Sequence, residues 1–354
     1  MVLNAFESTL EGQAPPVPLS FQIVDAPFEE PVLATKKVAE RIRPMSPYDF
    51  ELSAHIFSEG DHQIRAFDSG RFWQLLRTGD SLVHVSIASG GTAESPLLAV
   101  EMMSTEELGK EDKASIIGQV RAMLSLDLDI MPFYEQVSAD PVLMKLAVSL
   151  RGLKPPKTPS VFEALIDSII EQQISLNVAH TLQNRLVRKF GRSLEFDGMT
   201  FFKFPSPEEL AHLTADDLRA IGISWRKAEY VRDVSKMIVE GSLDLESLEV
   251  KVETEGILDE LTSIRGIGRW TAELVIIRGM GRFDVIPADD LGIRRIVSHF
   301  YFGDRKVDAE EVRSLAEGWG IWRGMASYYL IVAERLGIQT DRVHEKRVSA
   351  SPRS

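Results

Sequence analysis

The spacing of apolar positions changes in character along the chain and indicates two kinds of structure. Over residues 45–145, short apolar segments alternate with turn residues, and segments 82–88 and 97–102 are typical of strands on either side of the turn Gly90-Gly91. A helical pattern follows them. This part of the chain is therefore predicted to be a small α+β domain with an antiparallel sheet.

Beyond Pro155-Pro156 the apolar positions repeat every three to four residues, which predicts helices. The first of these helices starts at a capping box formed by Ser160 and Glu163, and similar start signals recur with short connections between them. We therefore predict a compact all-α region over residues 146–339.

Both ends of the chain lack this periodicity. Residues 1–44 contain scattered prolines that interrupt any regular element, and residues 340–354 are polar. We expect an extended lead-in and a loose tail, respectively. The first residues also lack a basic segment, so we expect no secretory signal.

The composition excludes several classes of protein. The 354 residues suit two or three domains, and 44% of them are hydrophobic, yet no apolar run reaches membrane-spanning length. The chain has no cysteine, which excludes disulfides, thiolate zinc sites, a cysteine nucleophile and a cysteine-ligated iron–sulfur cluster. Its seven histidines show no metal-ligand spacing.

The net charge of −13 by itself speaks against a nucleic-acid partner, but the charge is unevenly distributed. Residues 1–150 carry 11 Lys and Arg against 22 Asp and Glu, whereas residues 151–354 carry 29 against 31. The stretch 261–300 has six arginines and four acids. Since phosphate affinity depends on the charge at the contact surface, net charge does not decide the question.

The most informative segment is residues 261–272, in which two short helices meet through a turn. Gly266 and Gly268 bracket one apolar residue and allow positive φ and a close backbone approach. Backbone amides in such a turn and at the start of the next helix form a phosphate site. The alternative is a plain tight turn, but the residues around the glycines favour DNA binding. A dinucleotide-binding fold is disfavoured because a helix, and not a strand, precedes the glycines.

Asp290 follows Trp270 by twenty positions, within the sequence Pro-Ala-Asp-Asp. An N-cap for the next helix is the structural alternative, and for Asp289 it is at least as well supported as a functional role. The functional interpretation places the Asp290 carboxylate near the hairpin, facing the sugar of an extruded nucleotide. Breaking an N-glycosidic bond builds positive charge on the deoxyribose ring. A fixed carboxylate stabilises that charge and can orient or deprotonate the attacking water.

The hairpin followed by Pro-x-Asp-Asp resembles the helix-hairpin-helix superfamily of DNA glycosylases, and specifically the 3-methyladenine DNA glycosylase II family. The similarity spans about residues 45–337. Other segments that look like this family begin at Phe162, Glu171, Phe204, Ala228 and Trp319. The resemblance implies an N-terminal sheet domain of TATA-binding-protein-like form, followed by two helical subdomains that flank an active-site cleft.

The resemblance also assigns roles to individual positions. Asp290 matches the essential aspartate and Asp289 its less critical neighbour. Gln173 matches the wedge that fills the gap left by the flipped base; because the familiar wedge is leucine, Gln173 would act by hydrogen bonding. The DNA-binding hairpin is matched by Gly266 and Gly268, with Arg269 and Thr271 beside them. The carbonyls that hold a monovalent cation beside the DNA phosphate are matched by those of Thr262, Ile264 and Ile267.

Trp270 distinguishes subclasses of this superfamily. Members that also cleave the strand carry a lysine here, which forms a Schiff base with the sugar. Tryptophan cannot do so, and the resemblance therefore implies a monofunctional enzyme that leaves an abasic site. The indole ring offers a stacking face for a cationic base, although a core aromatic is the structural alternative. Family pockets often carry tyrosines where this chain has Leu274 and Leu291, so its base pocket is less aromatic.

These observations predict a monofunctional DNA glycosylase for alkylated bases such as 3-methyladenine. A glycosylase for oxidised or deaminated bases and a non-catalytic DNA-binding module are the alternatives. We expect a monomer whose partner is duplex DNA containing a damaged base, with no membrane partner and no organic cofactor. It would act in the cytoplasm of a prokaryote or the nucleus of a eukaryote.

Overall fold

The computed structural model describes residues 32–33 and 36–340. Residues 1–31 of the predicted lead-in and residues 341–354 of the predicted tail lie outside this described part.

The described part contains eight strands and fifteen α-helices. The strands are β1 (Val32–Leu33), β2 (Lys36–Ile42), β3 (Arg65–Asp68), β4 (Arg71–Thr78), β5 (Ser81–Ser89), β6 (Leu98–Ser104), β7 (Ser193–Phe196) and β8 (Met199–Phe202). The helices are α1 (Phe50–Ala54), α2 (Lys110–Met123), α3 (Met131–Gln136), α4 (Pro141–Ser149), α5 (Val161–Glu171), α6 (Leu176–Phe190), α7 (Pro207–Ala211), α8 (Ala215–Arg219), α9 (Trp225–Val239), α10 (Leu245–Glu249), α11 (Thr254–Ser263), α12 (Arg269–Val275), α13 (Leu291–Tyr301), α14 (Ala309–Glu317) and α15 (Arg323–Arg335).

Strands β2 to β6 form an antiparallel sheet in the order β2-β6-β5-β4-β3. One face of this sheet packs on α2, where Val83, Val85 and Ile116 belong to one apolar cluster. The strands predicted over residues 82–88 and 97–102 are confirmed as β5 and β6. The predicted fold class, an antiparallel sheet domain followed by a mainly helical region, is therefore confirmed.

The sheet begins earlier than the sequence indicated. Strand β2 pairs with β6 along its whole length, so the expectation of an extended lead-in up to residue 44 is wrong for residues 36–42. Most side chains of β2 are exposed. An edge strand of this kind shows no alternation of apolar and polar positions, which is the signal that sequence-based prediction uses.

The region predicted to be all-α contains a β-hairpin. Strands β7 and β8 pair antiparallel, and β1 pairs parallel with β7. Leu194 and Phe201 of the hairpin pack against Leu75 and Leu82 of the sheet. The hairpin therefore covers the second face of the sheet, and the middle of β5 is buried on both faces.

The helices form two hydrophobic cores. The first core joins α5 and α6 to the helices from α7 to α12. The second joins α3 and α4 to α13, α14 and α15. The predicted domain boundary at residue 145 is therefore wrong, because it divides α4, whose Val142 and Leu146 pack with the C-terminal helices. This pairing is between segments far apart in sequence, so local periodicity carries no sign of it.

Helix α12 ends in an irregular turn. The chain continues from α12 into a π-helical turn, Ile276–Met280, and this turn ends at Gly281, whose φ is +71°. Gly279 lies inside this turn. A Cβ at Gly279 would lie 3.0 Å from the Cβ of Ala164 and 3.1 Å from the Cα of Val161 on α5. The glycine therefore permits the close packing of this turn against α5.

His84 lies buried where β5 meets the β7–β8 hairpin. Its ring centroid is 5.0 Å from that of Phe196 and 4.4 Å from that of Phe201. Neither ring nitrogen has a hydrogen-bond partner within the part of the chain that the structure describes. Burial disfavours the charged imidazolium and lowers the pKa of His84 to about 4.

The buried histidine predicts an acid-sensitive contact between sheet and hairpin. Because folding lowers the pKa of His84, the folded state favours its neutral imidazole. This preference contributes fully to the free energy of unfolding above the ordinary pKa of histidine. That contribution is lost as the pH falls from about 6.5 to 4. His84→Phe should abolish this pH-dependent contribution. Over this interval, the free energy of unfolding of His84→Phe should fall less than that of the unsubstituted protein, by up to about 3 kcal/mol. Denaturant unfolding of both proteins at a series of pH values measures the difference. The control is His180→Gln, at an exposed site. The prediction is contradicted if the free energy of unfolding has the same pH dependence in His84→Phe as in the unsubstituted protein.

Candidate active site

The turn between α5 and α6 brings the predicted wedge to the hairpin. Gln173 is exposed and has a φ of +57°, an uncommon conformation for a residue other than glycine. Its neighbour Gln172 donates from Nε2 to the carbonyl of Gly266 at 2.9 Å and to Oγ1 of Thr271 at 3.0 Å. The amide of Gln172 therefore fixes the turn that presents Gln173. Sequence analysis did not single out Gln172.

Gly266 and Gly268 of the hairpin differ in backbone conformation and in the space around them. Gly266 has a φ of +91°, and a Cβ there would lie 2.5 Å from ring atoms of Tyr230 on α9. Gly268 is the N-cap of α12 with a φ of −92°, and nothing lies within 4 Å of its Cβ position. The expectation that both glycines serve positive φ is thus right for Gly266 and wrong for Gly268. The position of Gly268 leaves open space in front of the first turn of α12.

The first turn of α12 has the features of an anion site. Its first amides have no partners within the helix, and the positive end of the helix dipole lies there. Gly268 provides no side chain to cap them. Arg269, in the same turn, is about half exposed, and its Nε donates to Oε1 of Glu273 at 2.9 Å.

The carboxylate of Asp290 is held by three hydrogen-bond donors. Its Oδ1 accepts from the backbone amides of Gly292 at 2.8 Å and Ile293 at 3.0 Å, which makes Asp290 the N-cap of α13. Its Oδ2 accepts from Nε1 of Trp270 at 2.9 Å. The structure therefore brings together the two residues that sequence analysis placed twenty positions apart.

The N-cap of α13 is Asp290, not Asp289. Asp289 is exposed and accepts from Nη2 of Arg313 at 2.6 Å. The structural role considered for Asp289 is thus filled by its neighbour. Capping α13 and accepting from Trp270 leaves Asp290 fixed in position, which a stabilising carboxylate requires.

The two predicted pocket leucines lie in different environments. Leu274, on α12, is only 7% exposed. Leu291 is 64% exposed and begins α13 directly after Asp290. Trp270 is half-buried between these extremes. Of these three residues, Trp270 and Leu291 therefore retain the accessible apolar surface.

A buried carboxylate next to the site was missed by sequence analysis. Glu273 lies on α12, is fully buried, and its Oε1 accepts from Arg269 and from Nη1 of Arg313 at 3.0 Å. Burial raises the pKa of Glu273, and the two arginines oppose this effect. An acid within the apolar run of α12 was the signal that could have identified it.

The three carbonyls assigned to a cation lie around the end of α11. Thr262 belongs to its last turn, Ile264 is its C-cap, and Ile267 follows in the turn. The carbonyl of Ile264 accepts from the amide of Ile267 at 3.0 Å. Within the described residues, no group of three His, Cys, Asp or Glu side chains could hold a metal ion. No helix in the described part is long and apolar enough to cross a membrane.

The hairpin, the exposed Gln173 beside it and the fixed carboxylate of Asp290 all lie in the part of the chain that resembles base excision DNA repair proteins. Residues 166–333 match the model of the HhH-GPD superfamily of base excision DNA repair proteins. The chain is 31% identical over 289 residues to the DNA-3-methyladenine glycosylase of Bacillus subtilis, and the match covers 80% of this chain and 94% of that protein.

Two solved structures are similar to this one. The 3-methyladenine DNA glycosylase from Archaeoglobus fulgidus superposes with a TM-score of 0.73 at 29% identity, covering 84% of this chain and all but 1% of that one. The Schizosaccharomyces pombe 3-methyladenine DNA glycosylase in complex with abasic DNA gives a TM-score of 0.51 at 26% identity, covering 60% of this chain and 100% of that one. The chain belongs to the helix-hairpin-helix superfamily of base excision DNA repair proteins.

The open position of Gly268 permits a direct test of the hairpin. Gly268→Asp places a negative charge in front of the amides of α12, and an aspartate at an N-cap stabilises a helix. DNA affinity should fall about tenfold or more, equally for damaged and undamaged duplexes, while the melting temperature stays the same or rises. Fluorescence anisotropy with labelled duplexes and thermal unfolding measure the two quantities.

The matched control is Gly118→Asp, which adds the same charge at an exposed and open position of α2. It should bind DNA like the unsubstituted protein. A stable Gly268→Asp protein that binds with unchanged affinity would reduce the hairpin to an ordinary helix connection.

Proposed function

We propose that this protein is a monofunctional DNA glycosylase that hydrolyses the N-glycosidic bond of alkylated bases, such as 3-methyladenine, in duplex DNA. The observation that carries the proposal is the Asp290 carboxylate, held by three donors and joined through Trp270 to the hairpin helix α12. The related proteins named as DNA-3-methyladenine glycosylases support the same substrate class.

Binding to DNA begins at the hairpin. The amides at the start of α12 and the turn at Gly266 bind a backbone phosphate without reading the sequence. The target nucleotide then leaves the stack, at a cost of a few kcal/mol that is smaller where pairing is already weakened. Gln173 fills the gap in the duplex. Its exposed position on the turn held by Gln172 supports this role.

Base release follows from the fixed carboxylate. An N-alkylated purine carries positive charge, so the bond from C1′ to the base nitrogen breaks with its electron pair leaving on the base. The positive charge passes to the deoxyribose ring, where Asp290 stabilises it. Water then adds to C1′ and loses a proton, for which Asp290 is the base. The products are a free base and an abasic sugar.

Trp270 contributes to both recognition and reaction type. Its indole nitrogen orients Asp290, and its ring provides a face on which a cationic base stacks, worth about 0.5–2 kcal/mol. A tryptophan cannot form a Schiff base with the sugar, which supports the monofunctional assignment. Leu291 adds exposed apolar surface next to Asp290.

The carbonyl oxygens of Thr262, Ile264 and Ile267 suit a monovalent cation beside the bound phosphate. They lie at the end of α11, where the helix dipole is negative and the last carbonyls lack partners within the helix. The carbonyl of Ile264 keeps one lone pair besides the one used by the Ile267 amide. The cation would supply positive charge between the turn and the phosphate.

The protein acts as a monomer, in the compartment that contains the DNA of the cell.

Substitution of the carboxylate tests the mechanism. Asp290→Asn retains an oxygen that can cap α13 but removes the negative charge. Release of 3-methyladenine from methylated duplex DNA should fall at least about 100-fold, while binding to the duplex persists. Single-turnover base release and DNA binding measured on the same preparation test this. Asp289→Asn is the comparison and should lose much less activity. An Asp290→Asn protein as active as the unsubstituted one would overturn the proposal.

The nature of the product tests the monofunctional assignment. With tryptophan at position 270, the reaction should leave an intact strand with an abasic site, which breaks only after alkali treatment. Denaturing gel electrophoresis with and without alkali shows this. Trapping of a covalent protein–DNA adduct by borohydride would show that a lysine elsewhere acts on the sugar.

A further inference from the structure

Arg313 joins the segment that carries Asp290 to the hairpin helix. From α14, its Nη2 donates to Oδ2 of Asp289 at 2.6 Å, and its Nη1 donates to the carbonyl of Ile286 at 3.3 Å. The same Nη1 donates to Oε1 of Glu273 on α12 at 3.0 Å. One guanidinium thus holds the segment just before Asp290 at two points and anchors it to α12 at a third.

This contact crosses between the two helical cores. Ala272 and Val275 of α12 belong to the first core, whereas Val312 of α14 and Ile293 of α13 belong to the second. The hydrogen bond from Trp270 to Asp290 makes the same crossing. The position of Asp290 relative to Trp270 therefore depends on how firmly α12 and the 286–290 segment are joined.

The ion pair between Arg313 and Glu273 is suited to holding the segment before Asp290 against α12. Glu273 is fully buried and Arg313 is only 27% exposed, so their ion pair is screened little by water. Burial raises the pKa of Glu273, and Arg313 is the largest influence that opposes it. The guanidinium donates from two separate nitrogens held in a planar fork, a geometry that the single ammonium group of a lysine does not reproduce.

We propose that Arg313 is a positioning residue for base release. It holds the 286–290 segment against α12, so that the Asp290 carboxylate stays at hydrogen-bond distance from Trp270. The effect on catalysis rests on the proposed glycosylase function; the effect on geometry does not. Arg313 makes no hydrogen bond or ion pair with Asp290 or Trp270, so its influence passes through Asp289, Ile286 and Glu273.

The test replaces Arg313 with methionine and with lysine. A displacement of about 1 Å at a reacting group costs up to about 100-fold in rate. Arg313→Met should therefore lower the single-turnover release of 3-methyladenine from methylated duplex DNA about 10- to 100-fold. Affinity for the duplex should change by less than about twofold. Arg313→Lys retains the charge but not the fork of donors. Its rate of base release should fall between those of Arg313→Met and the unsubstituted protein.

A second measurement reports the geometry without any activity. The indole N–H resonance of Trp270, assigned by its disappearance in Trp270→Phe, depends on the hydrogen bond to Asp290. It should shift in Arg313→Met and shift less in Arg313→Lys. The control is Arg305→Met, which removes another arginine paired with an acid of α14, Glu311 at 2.6 Å. This control should leave both the resonance and the rate unchanged.

The outcomes separate the two proposals. If the unsubstituted protein releases no methylated base, the proposed function fails, while the Trp270 resonance still decides the role of Arg313. If Arg313→Met releases base at the normal rate and the resonance does not move, the positioning role is overturned. If Arg313→Met does not fold, Arg313→Lys decides: normal rate and normal resonance overturn the role, and intermediate values support it.

Discussion

The arrangement of the site depends on one constraint, the immobilisation of the Asp290 carboxylate. Two amides of α13 and the indole of Trp270 occupy its oxygens, so its position is set before any DNA binds. A negative charge stabilises a developing cation best when it need not move during the reaction. The bonds that cap α13 therefore also set the position of the carboxylate to which we assign the chemistry.

That constraint is met at the junction of two hydrophobic cores. Helix α12 packs in the first core and α13 in the second, and the bond between Trp270 and Asp290 joins them. Arg313 and Glu273 make a parallel connection. Because close-packed cores resist deformation, these polar links hold α12 and the 286–290 segment at the junction of two rigid bodies. The hydrogen bond from Trp270 to Asp290 consequently joins the start of α12, the proposed phosphate site, to the proposed catalytic carboxylate.

The charges around the site explain how an acidic protein can bind DNA. The chain has a net charge of −13, yet Arg269 lies half exposed at the start of α12, where the helix dipole is also positive. Its partner Glu273 is buried and shared with Arg313, so that acid is withdrawn from the surface. Local arrangement, rather than the sum of charges, sets the potential that a phosphate meets.

The sequence by itself determined most local features of this protein. The strands β5 and β6, the start of α5 at Ser160, the hairpin and the pair Trp270 and Asp290 were all visible, because each leaves a signal within a few residues or at a fixed spacing. The predicted capping box is only half formed, because Ser160 caps α5 but the side chain of Glu163 pairs with Arg65. The edge strand β2, the β7–β8 hairpin in a helical region and the packing of α4 with α13 to α15 left no such signal. Only the tertiary structure decided which aspartate caps α13, that Gly268 needs no positive φ, and that Arg313 and Glu273 meet. The meeting of Arg313 and Glu273 depends on segments that are distant in sequence, about which local periodicity carries no information. The cap of α13 and the conformation of Gly268 depend on the residue at which a helix starts, which periodicity does not locate to a single position.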